Sequence, residues 1–510
     1  MSSQKIFRAI SAVSLGTLVA RFFGLGREVA TANFFGTTGI YDAFLIAFMI
    51  PNFFRGLLAE GALNAAFIPV FTEYSASGED KKKSYEVFHL CFTVSLVLTL
   101  SLFAAILAFS FIMSGAVADE SKWFQVWMLL RFTFPYLIFI SLTALNMGVL
   151  NVYKNFFLPS LSPVILDIFW VGALFLLLPL MGSTPGERIY GLCLGVIAGG
   201  IGQFIFTLVP VLKRGYTVRL NFNFRHPAMK KMGKLLLPVI AGVAVVPINL
   251  LVDYSLANTL YDGAVSGLWY GTRIFQLPLG IFAISISTAI LPWLAEDFSS
   301  KNYLRFTANL RFALRMLILL MLPFTFGMII LRTEIVTLLF SRGLFSGDSV
   351  RMAASPLAFY SLGLAGYGGV SVLARAFYSC GDTVTPVKVG LLSIVTNLFL
   401  NIALMKFLNH SGIALSTAVV GIMNFALLLW LFNRKHLKIN VRELVPFTGK
   451  SLVISASMGV ILCLWKRMFQ GMPLPLTLFS AIIVAVLFYL ACLKLFFFKG
   501  RGFYIKGIHL

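Results

Sequence analysis

Cut at its clusters of Gly, Pro and charge, the chain falls into fourteen apolar spans, near residues 10–36, 40–72, 85–115, 123–150, 158–181, 188–212, 235–260, 266–295, 306–331, 352–377, 386–407, 412–432, 450–470 and 476–498. About twenty residues of helix suffice to cross a hydrocarbon core about 30 Å thick, and each span meets or approaches that length. Charge collects in short connections, none longer than about twenty-five residues. The pattern predicts an all-α polytopic membrane protein of about fourteen transmembrane helices, with no room between spans for a soluble catalytic domain.

Composition agrees with this. Of 510 residues 59% are hydrophobic and only 12% charged, and the mean hydropathy of +0.90 excludes a soluble multidomain chain. A net charge of +22 would suggest nucleic acid in a soluble protein. Here the basic residues sit between the apolar runs, where they orient helices. With the N-terminus inside, 26 Lys and Arg fall on the cytoplasmic side. Eight fall opposite: Lys122, Arg188, Arg332, Arg342, Arg351, Lys406, Lys466 and Arg467. Both termini are therefore expected in the cytoplasm, and the basic connection 213–234, with Arg225-His226-Pro227 at its centre, along the anionic inner leaflet. Lys5 and Arg8 precede an apolar run without a small-residue cleavage site, so the first span reads as a retained helix. The five cysteines stand singly, without metal-ligand spacing. No Gly-x4-Gly-Lys-Ser/Thr motif is present to supply nucleotide drive.

An internal repeat organises the spans. Ala66-Phe67-Ile68-Pro69 with Glu73 returns as Ala289-Ile290-Leu291-Pro292 with Glu296, and Ser162-Pro163-Val164 as Thr385-Pro386-Val387, both at an offset of 223 residues. That offset holds six spans, so the halves share one orientation and relate by an axis along the membrane normal. The expected organisation is an N-terminal lobe over 1–212 (spans 1–6), a basic linker over 213–234, a C-terminal lobe over 235–432 (spans 7–12), and two C-terminal helices within 433–510.

Ionised residues at membrane depth cost at least about 2.5 kcal/mol each on insertion scales, so they mark partners, wet cavities or substrate. The first span carries Arg21 and Arg27 around Gly24 and Gly26, and these glycines weaken the helix enough to let both guanidiniums converge. The second carries Asp42, Asn52, Arg55 and Glu60, and the eighth Arg273. Asp42 also suits a helix N-cap after its Gly-Thr-Thr-Gly turn, and Glu60 also suits neutralising Arg55. Spans 1, 2 and 8 hold too few acids to pair four arginines, and guanidinium forks suit a phosphorylated, pyrophosphate-like ligand. A second set, Asp253, Asn397, Asn401 and Thr417, reads either as oxygen ligands for sodium or proton coupling, or as interhelical hydrogen bonding. His89, His226, His410, His436 and His509 stand alone along the chain, which speaks against a polyprenyl-phosphate enzyme, the rival from another class.

The stretch Val19-Ala20-Arg21, Gly24-Leu25-Gly26-Arg27-Glu28, Tyr41-Asp42-Ala43-Phe44, Pro51-Asn52, Arg55 and Ala59-Glu60-Gly61-Ala62, with Arg273 and Gly381-Asp382-Thr383-x-Thr385-Pro386, resembles the MurJ/MviN family of bacterial lipid II flippases. The resemblance covers essentially the whole chain. It implies a non-enzymatic exporter of the multidrug/oligosaccharidyl-lipid/polysaccharide superfamily in the bacterial cytoplasmic (inner) membrane. Such a protein carries lipid II, the undecaprenyl-pyrophosphate-linked peptidoglycan precursor, to the outer leaflet for cell-wall synthesis. It further implies that Arg21, Arg27, Asp42, Arg55, Glu60 and Arg273 line the cavity, the arginines on pyrophosphate and Glu60 tuning or gating. Sodium at Asp253, Asn397, Asn401 and Thr417 is implied too, although Asn401 stands where the family has an acid. The last two spans would hold the polyprenyl tail. Phospholipids surround the chain, a monomer is expected, and no cofactor, nucleotide or nucleic acid is called for. A related exporter of another lipid-linked saccharide is the nearest alternative.

Overall fold

A computed structural model describes residues 3–57, 62–76, 81–119 and 121–497. These residues are helices and their connections, with no strand among them. The chain divides into two compact units, Met1–Gly263 with Arg342–Phe345, and Ala264–Ser341 with Ser346–Leu510.

The first unit runs through α1 (Ser3–Phe35), α2 (Gly39–Phe54), α3 (Ala62–Ala76), α4 (Lys81–Ala116), α5 (Lys122–Thr133), α6 (Tyr136–Val152), α7 (Phe157–Gly172), α8 (Leu178–Met181), α9 (Pro185–Leu212), α10 (Pro227–Val243) and α11 (Val245–Asn258). The second holds α12 (Ala264–Pro278), α13 (Ile284–Ser299), α14 (Tyr303–Ile330), α15 (Arg332–Phe340), α16 (Gly347–Leu362), α17 (Leu364–Ser379), α18 (Val384–Leu408), α19 (His410–Lys435), α20 (Val441–Met468) and α21 (Leu474–Phe497). Among the described residues ten spans are long and apolar enough to cross a membrane, and two bent pairs, α5 with α6 (44°) and α16 with α17 (48°), raise the number to twelve. Helix α1 and the α10–α11 pair occupy the remaining two expected spans, so the architecture is consistent with fourteen.

Local chemistry accounts for the breaks. Pro135 has no N–H to give the α5–α6 junction. At the α16–α17 bend a Cβ on Gly363 would sit 2.8 Å from the Ala418 backbone, so glycine is what lets α19 approach there. The connection after α9, the basic segment expected along the inner leaflet, is fastened to the helices beside it. His89 Nε2 meets the Thr217 carbonyl at 2.8 Å, and the Asn221 N–H donates to Thr93 Oγ1 at 2.8 Å, so residues 217–221 are laced to α4. Tyr216 is buried among Phe71, Tyr85 and Phe88. Helix α10 then starts at Pro227, ahead of the expected 235. The His226 ring caps it by accepting the Ala228 N–H at 3.2 Å, and proline suits a first helical position. Because α10 packs on α3 and α11 on α2, the seventh span belongs to the first compact unit.

Helix α4 packs on α3, α5 and α6, placing Val87, Phe88, Cys91 and Phe92 in a buried core, and turns most of its remaining length outward. It is 36 residues long, and only 11% of its most apolar window is buried. It is pinned at its ends, by residues 217–221 on one side and by Arg131 of α5 on the other. Arg131 bonds Ser110 and Ser114 and stacks on Phe111 at 3.7 Å.

Candidate functional site

Helix α1 is unbroken through Gly24 and Gly26, which corrects the expectation that these glycines let Arg21 and Arg27 converge. In hydrocarbon an unpaired peptide group costs several kcal/mol, more than the roughly 1 kcal/mol each glycine takes from helix propensity. Six residues of regular helix leave the two arginines about 9 Å apart along the axis and about 120° apart around it.

Arg27 also finds acids that its own span does not supply. Its Nη1 donates to Asp167 Oδ1 of α7 at 2.9 Å and its Nη2 to Glu28 Oε1 at 2.7 Å. Both carboxylates are 5% exposed. The Trp170 ring lies 4.7 Å from the guanidinium carbon. Trp170 Nε1 donates to Thr31 Oγ1 at 2.9 Å, and that hydroxyl donates to the Arg27 carbonyl at 2.7 Å. The group is a guanidinium held flat between two carboxylates and an indole, with net charge of one negative unit. Its Nε–H is buried and meets no partner among the described residues. Asp167 was legible only as a lone acid inside the fifth span, and nothing in the sequence assigned it to Arg27.

The other arginines differ in setting. Arg21 is part-exposed and pairs with no carboxylate among the described residues. Arg55 closes α2 where a wide π turn over 55–57 follows Pro51, and Asn52 Nδ2 donates to the Phe48 carbonyl at 2.9 Å. Glu60 lies outside the described residues. In the second unit the Arg273 guanidinium stacks on Trp269 at 3.8 Å and reaches Gln276 Oε1 at 3.5 Å.

Asp42 is not the N-cap of α2; Thr38 holds that place, and Asp42 lies in the first turn, fully buried. Its Oδ2 accepts the Gly263 N–H at 2.7 Å. Beside it, Lys122 pairs with Asp262 at 2.9 Å and donates to the Leu260 carbonyl at 3.0 Å. A Cβ on Gly39 would meet the Asp262 carboxylate at 2.7 Å. The α1–α2 turn also receives the 342–345 segment, with the Leu344 N–H bonding the Asn33 carbonyl at 2.9 Å. Gly36 (φ +53°) and Gly343 (φ +56°) interlock there. A Cβ on either would lie within 2.4 Å of the opposing main-chain carbonyl oxygen, Leu344 for Gly36 and Asn33 for Gly343. This is a clasp of main chain on main chain at the α1–α2 turn, and Asp42, in the first turn of α2, holds Gly263.

The second polar set is divided. Asp253 is buried in α11 of the first unit, and Asn397, Asn401 and Thr417 belong to the second. Asn401 Nδ2 donates to Asn397 Oδ1 at 2.6 Å, Ser416 Oγ donates to the Asn397 carbonyl at 3.2 Å, and Thr417 Oγ1 donates to Ile413 of its own helix at 3.0 Å. The Asn397 amide oxygen is thus engaged by an N–H donor, whereas the Thr417 hydroxyl, as a donor to Ile413, keeps its lone pairs.

The histidines need one correction. His436 Nε2 lies 3.3 Å from Asp382 Oδ2, so a His and an acid do meet at the end of α19. Asp382, one residue before the N-cap Thr383, holds the first turn of α18, accepting the Thr385 N–H at 2.9 Å and its hydroxyl at 2.6 Å, and Lys435 reaches the same hydroxyl at 2.8 Å. Burial opposes ionisation of Asp382, but the Thr385 bonds, with His436 and Lys435 alongside, outweigh it and hold the carboxyl below its ordinary range. The imidazole is wedged against Phe377 and Phe432. This is capping geometry, with the acid facing helix-end donors and no reacting group.

Known proteins match this chain along nearly its full length. Residues 31–484 match the family model described as Lipid II flippase MurJ. A probable lipid II flippase MurJ from Vibrio cholerae is 34% identical over 483 residues, covering 91% of this chain and 90% of the relative. The lipid II flippase MurJ of Burkholderia cenocepacia is 32% identical over 466 residues, covering 89% of each. Among solved structures, a lipid II flippase MurJ in an inward closed conformation superposes with TM-score 0.81 at 26% identity, over 95% of this chain and 98% of that one. An inward-facing multidrug MATE transporter of the MOP superfamily shares the fold at TM-score 0.66 and 14% identity, over 84% of this chain and 98% of the other. With the family model spanning most of the sequence and relatives above 30% identity over most of their length, this chain belongs to the MurJ family of lipid II flippases.

Proposed function

We propose that the protein carries lipid II from the inner to the outer leaflet of the bacterial cytoplasmic membrane by alternating access, with Arg27 as a pyrophosphate contact whose bound acids make the contact reversible. The observation that carries this reading is the Arg27 cluster. An arginine left bare at membrane depth would bind pyrophosphate too tightly to release it. Arg27 begins satisfied by Glu28 and Asp167, so a pyrophosphate gains only the difference between its own charge-assisted bonds and those it displaces. The free Nε–H gives the incoming oxygen a first foothold, and the displaced carboxylate later reclaims the guanidinium and expels the product. Arg21, Arg55 and Arg273 supply further positive charge that replaces the water a sugar-peptide headgroup loses in transit. The isoprenoid stays in lipid. The clasp around Asp42, Gly36 and Gly343 closes the non-cytoplasmic end while the headgroup loads, and opens to release it.

The membrane potential suffices as a drive in principle, since each charge moved through 100 mV exchanges about 2.3 kcal/mol. We assign no step to sodium. Exchanging potassium for sodium at constant ionic strength is expected to leave the thermal unfolding of the purified protein unchanged, and a sodium-specific rise that Asp253→Ala abolishes would overturn that. The transport reading is tested in cells that depend on this protein. Labelled lipid II should become accessible to an external reagent with the wild-type chain. Arg273→Ala should lower that accessibility about tenfold or more, the loss of one charged bond to phosphate. Full accessibility in the variant would remove Arg273 from the site.

A further inference from the structure

The first unit holds a cavity that carriage of a headgroup does not use. Cys91, Ser95 and Thr99 recur every fourth residue on one face of α4, and opposite them α10 presents Met232 and Gly233. The two faces meet at one point, where Cys91 Sγ lies 3.8 Å from Met232 Sδ. Beside that contact they stay apart around a cavity of about 130 Å³, with Ser141 of α6 in its wall. Glycine helps to make the room, because a Cβ on Gly233 would find nothing within 4 Å.

The lining is almost wholly apolar, and no charged side chain contributes to it. One polar group is out of keeping. Ser141 is 3% exposed, and its hydroxyl meets no partner among the described residues. Buried hydroxyls are nearly always bonded, and in a helix the carbonyl one turn back is at hand. Two residues on, Thr143 takes that option with the Phe139 carbonyl at 2.8 Å, whereas Ser141 leaves its hydroxyl free for something else.

The surroundings narrow the occupant. Leu98, also in the wall, is 42% exposed on α4, a helix apolar enough to cross a membrane, so a ligand arrives out of hydrocarbon. An ionised group would lose its hydration there with no counter-charge to meet it. The volume is near the roughly 150 Å³ of an engineered protein cavity that holds benzene, which suits one ring with one small substituent. Sulfur favours the edge of an aromatic ring, and the thiol of Cys91 and the thioether of Met232 both line the space. An acyl chain would bring nothing for the serine to bond.

We propose that this cavity binds a small uncharged aromatic alcohol dissolved in the membrane, its ring beside Cys91, Met232 and Gly233 and its hydroxyl on Ser141. Such an occupant ties α10, the first helix after the basic linker, to α4 and α6. The proposal depends neither on Arg27 nor on transport.

The test titrates the purified full chain in lipid nanodiscs with para-fluorophenol, followed by fluorine NMR, with empty nanodiscs to subtract partitioning into lipid. Saturable binding above that background is expected. Gly233→Leu fills the space and should abolish it, and because it replaces a helix glycine with a good helix former the variant should still fold. Ser141→Ala should weaken para-fluorophenol about fivefold, the loss of one hydrogen bond between neutral groups, and leave fluorobenzene unchanged. The ionised para-fluorobenzoate should not bind. No saturable signal above empty nanodiscs, equal binding by wild type and Gly233→Leu, or equal affinity for para-fluorophenol in wild type and Ser141→Ala would overturn the proposal.

Discussion

Arg27→Ala is expected to abolish external accessibility of lipid II and also to destabilise the protein, because it removes the guanidinium bonded to Glu28 and Asp167, two carboxylates at 5% exposure. Breaking a buried ion pair by removing one partner costs about 3–5 kcal/mol. A single variant therefore cannot separate a substrate contact from a structural one, and the neutral triple variant Arg27→Gln/Glu28→Gln/Asp167→Asn does. With all three charges gone, thermal unfolding should return to within about 1 kcal/mol of wild type, since a buried charge cluster often contributes little net stability over a neutral replacement. Transport should remain absent. Arg27→Lys should fall between, its ammonium being a point charge that cannot span the two carboxylates as a fork does. A stable, transporting triple variant would show that Arg27 only fastens α1 to α7.

On the proposed reading, Gly343→Ala should open the clasp and Asp42→Ala should loosen the neighbouring attachment at Gly263. At Gly343 the added methyl meets the main-chain oxygen of Asn33, which no rotamer change can move aside, and φ of +56° adds roughly 1–2 kcal/mol for an L side chain. At Asp42 the loss is of a buried, charged acceptor for the Gly263 N–H. A cost of about 2 kcal/mol shifts a closed-to-open ratio roughly thirtyfold. Ala32→Cys, fully buried one turn below Gly36, is the reporter, in a chain whose exposed Cys463 is replaced by Ala. Labelling by an impermeant thiol reagent added from outside should rise in both variants. Labelling at the wild-type rate would mean that the clasp does not gate access.

The helices were legible because a membrane leaves so few choices. Every peptide group must be bonded within its own segment, so the apolar runs are the elements. That same constraint is why Gly24 and Gly26 misled: in water they would mark weak points, but in α1 the ladder continues through them. Asn397 and Asn401 were legible as partners because their four-residue spacing is itself helical geometry. Arg27 with Asp167, and His436 with Asp382, lie 140 and 54 residues apart and meet only because particular helices pack together. The Gly36–Gly343 interlock left no side-chain signal at all, being made of backbone.

Helix α4 bears on how this protein meets its bilayer. Thirty-six residues of helix extend roughly 54 Å against a hydrocarbon layer of about 30 Å, so this rod must lean or rise through the headgroups. Fastened to residues 217–221 through His89 and Thr93 and to Arg131 through Ser114, it would behave as a strut within the first unit. Lipids of shorter chain cannot compress such a strut. They must stretch or pucker around it, so membrane thickness becomes a load that the surrounding lipids bear rather than the protein.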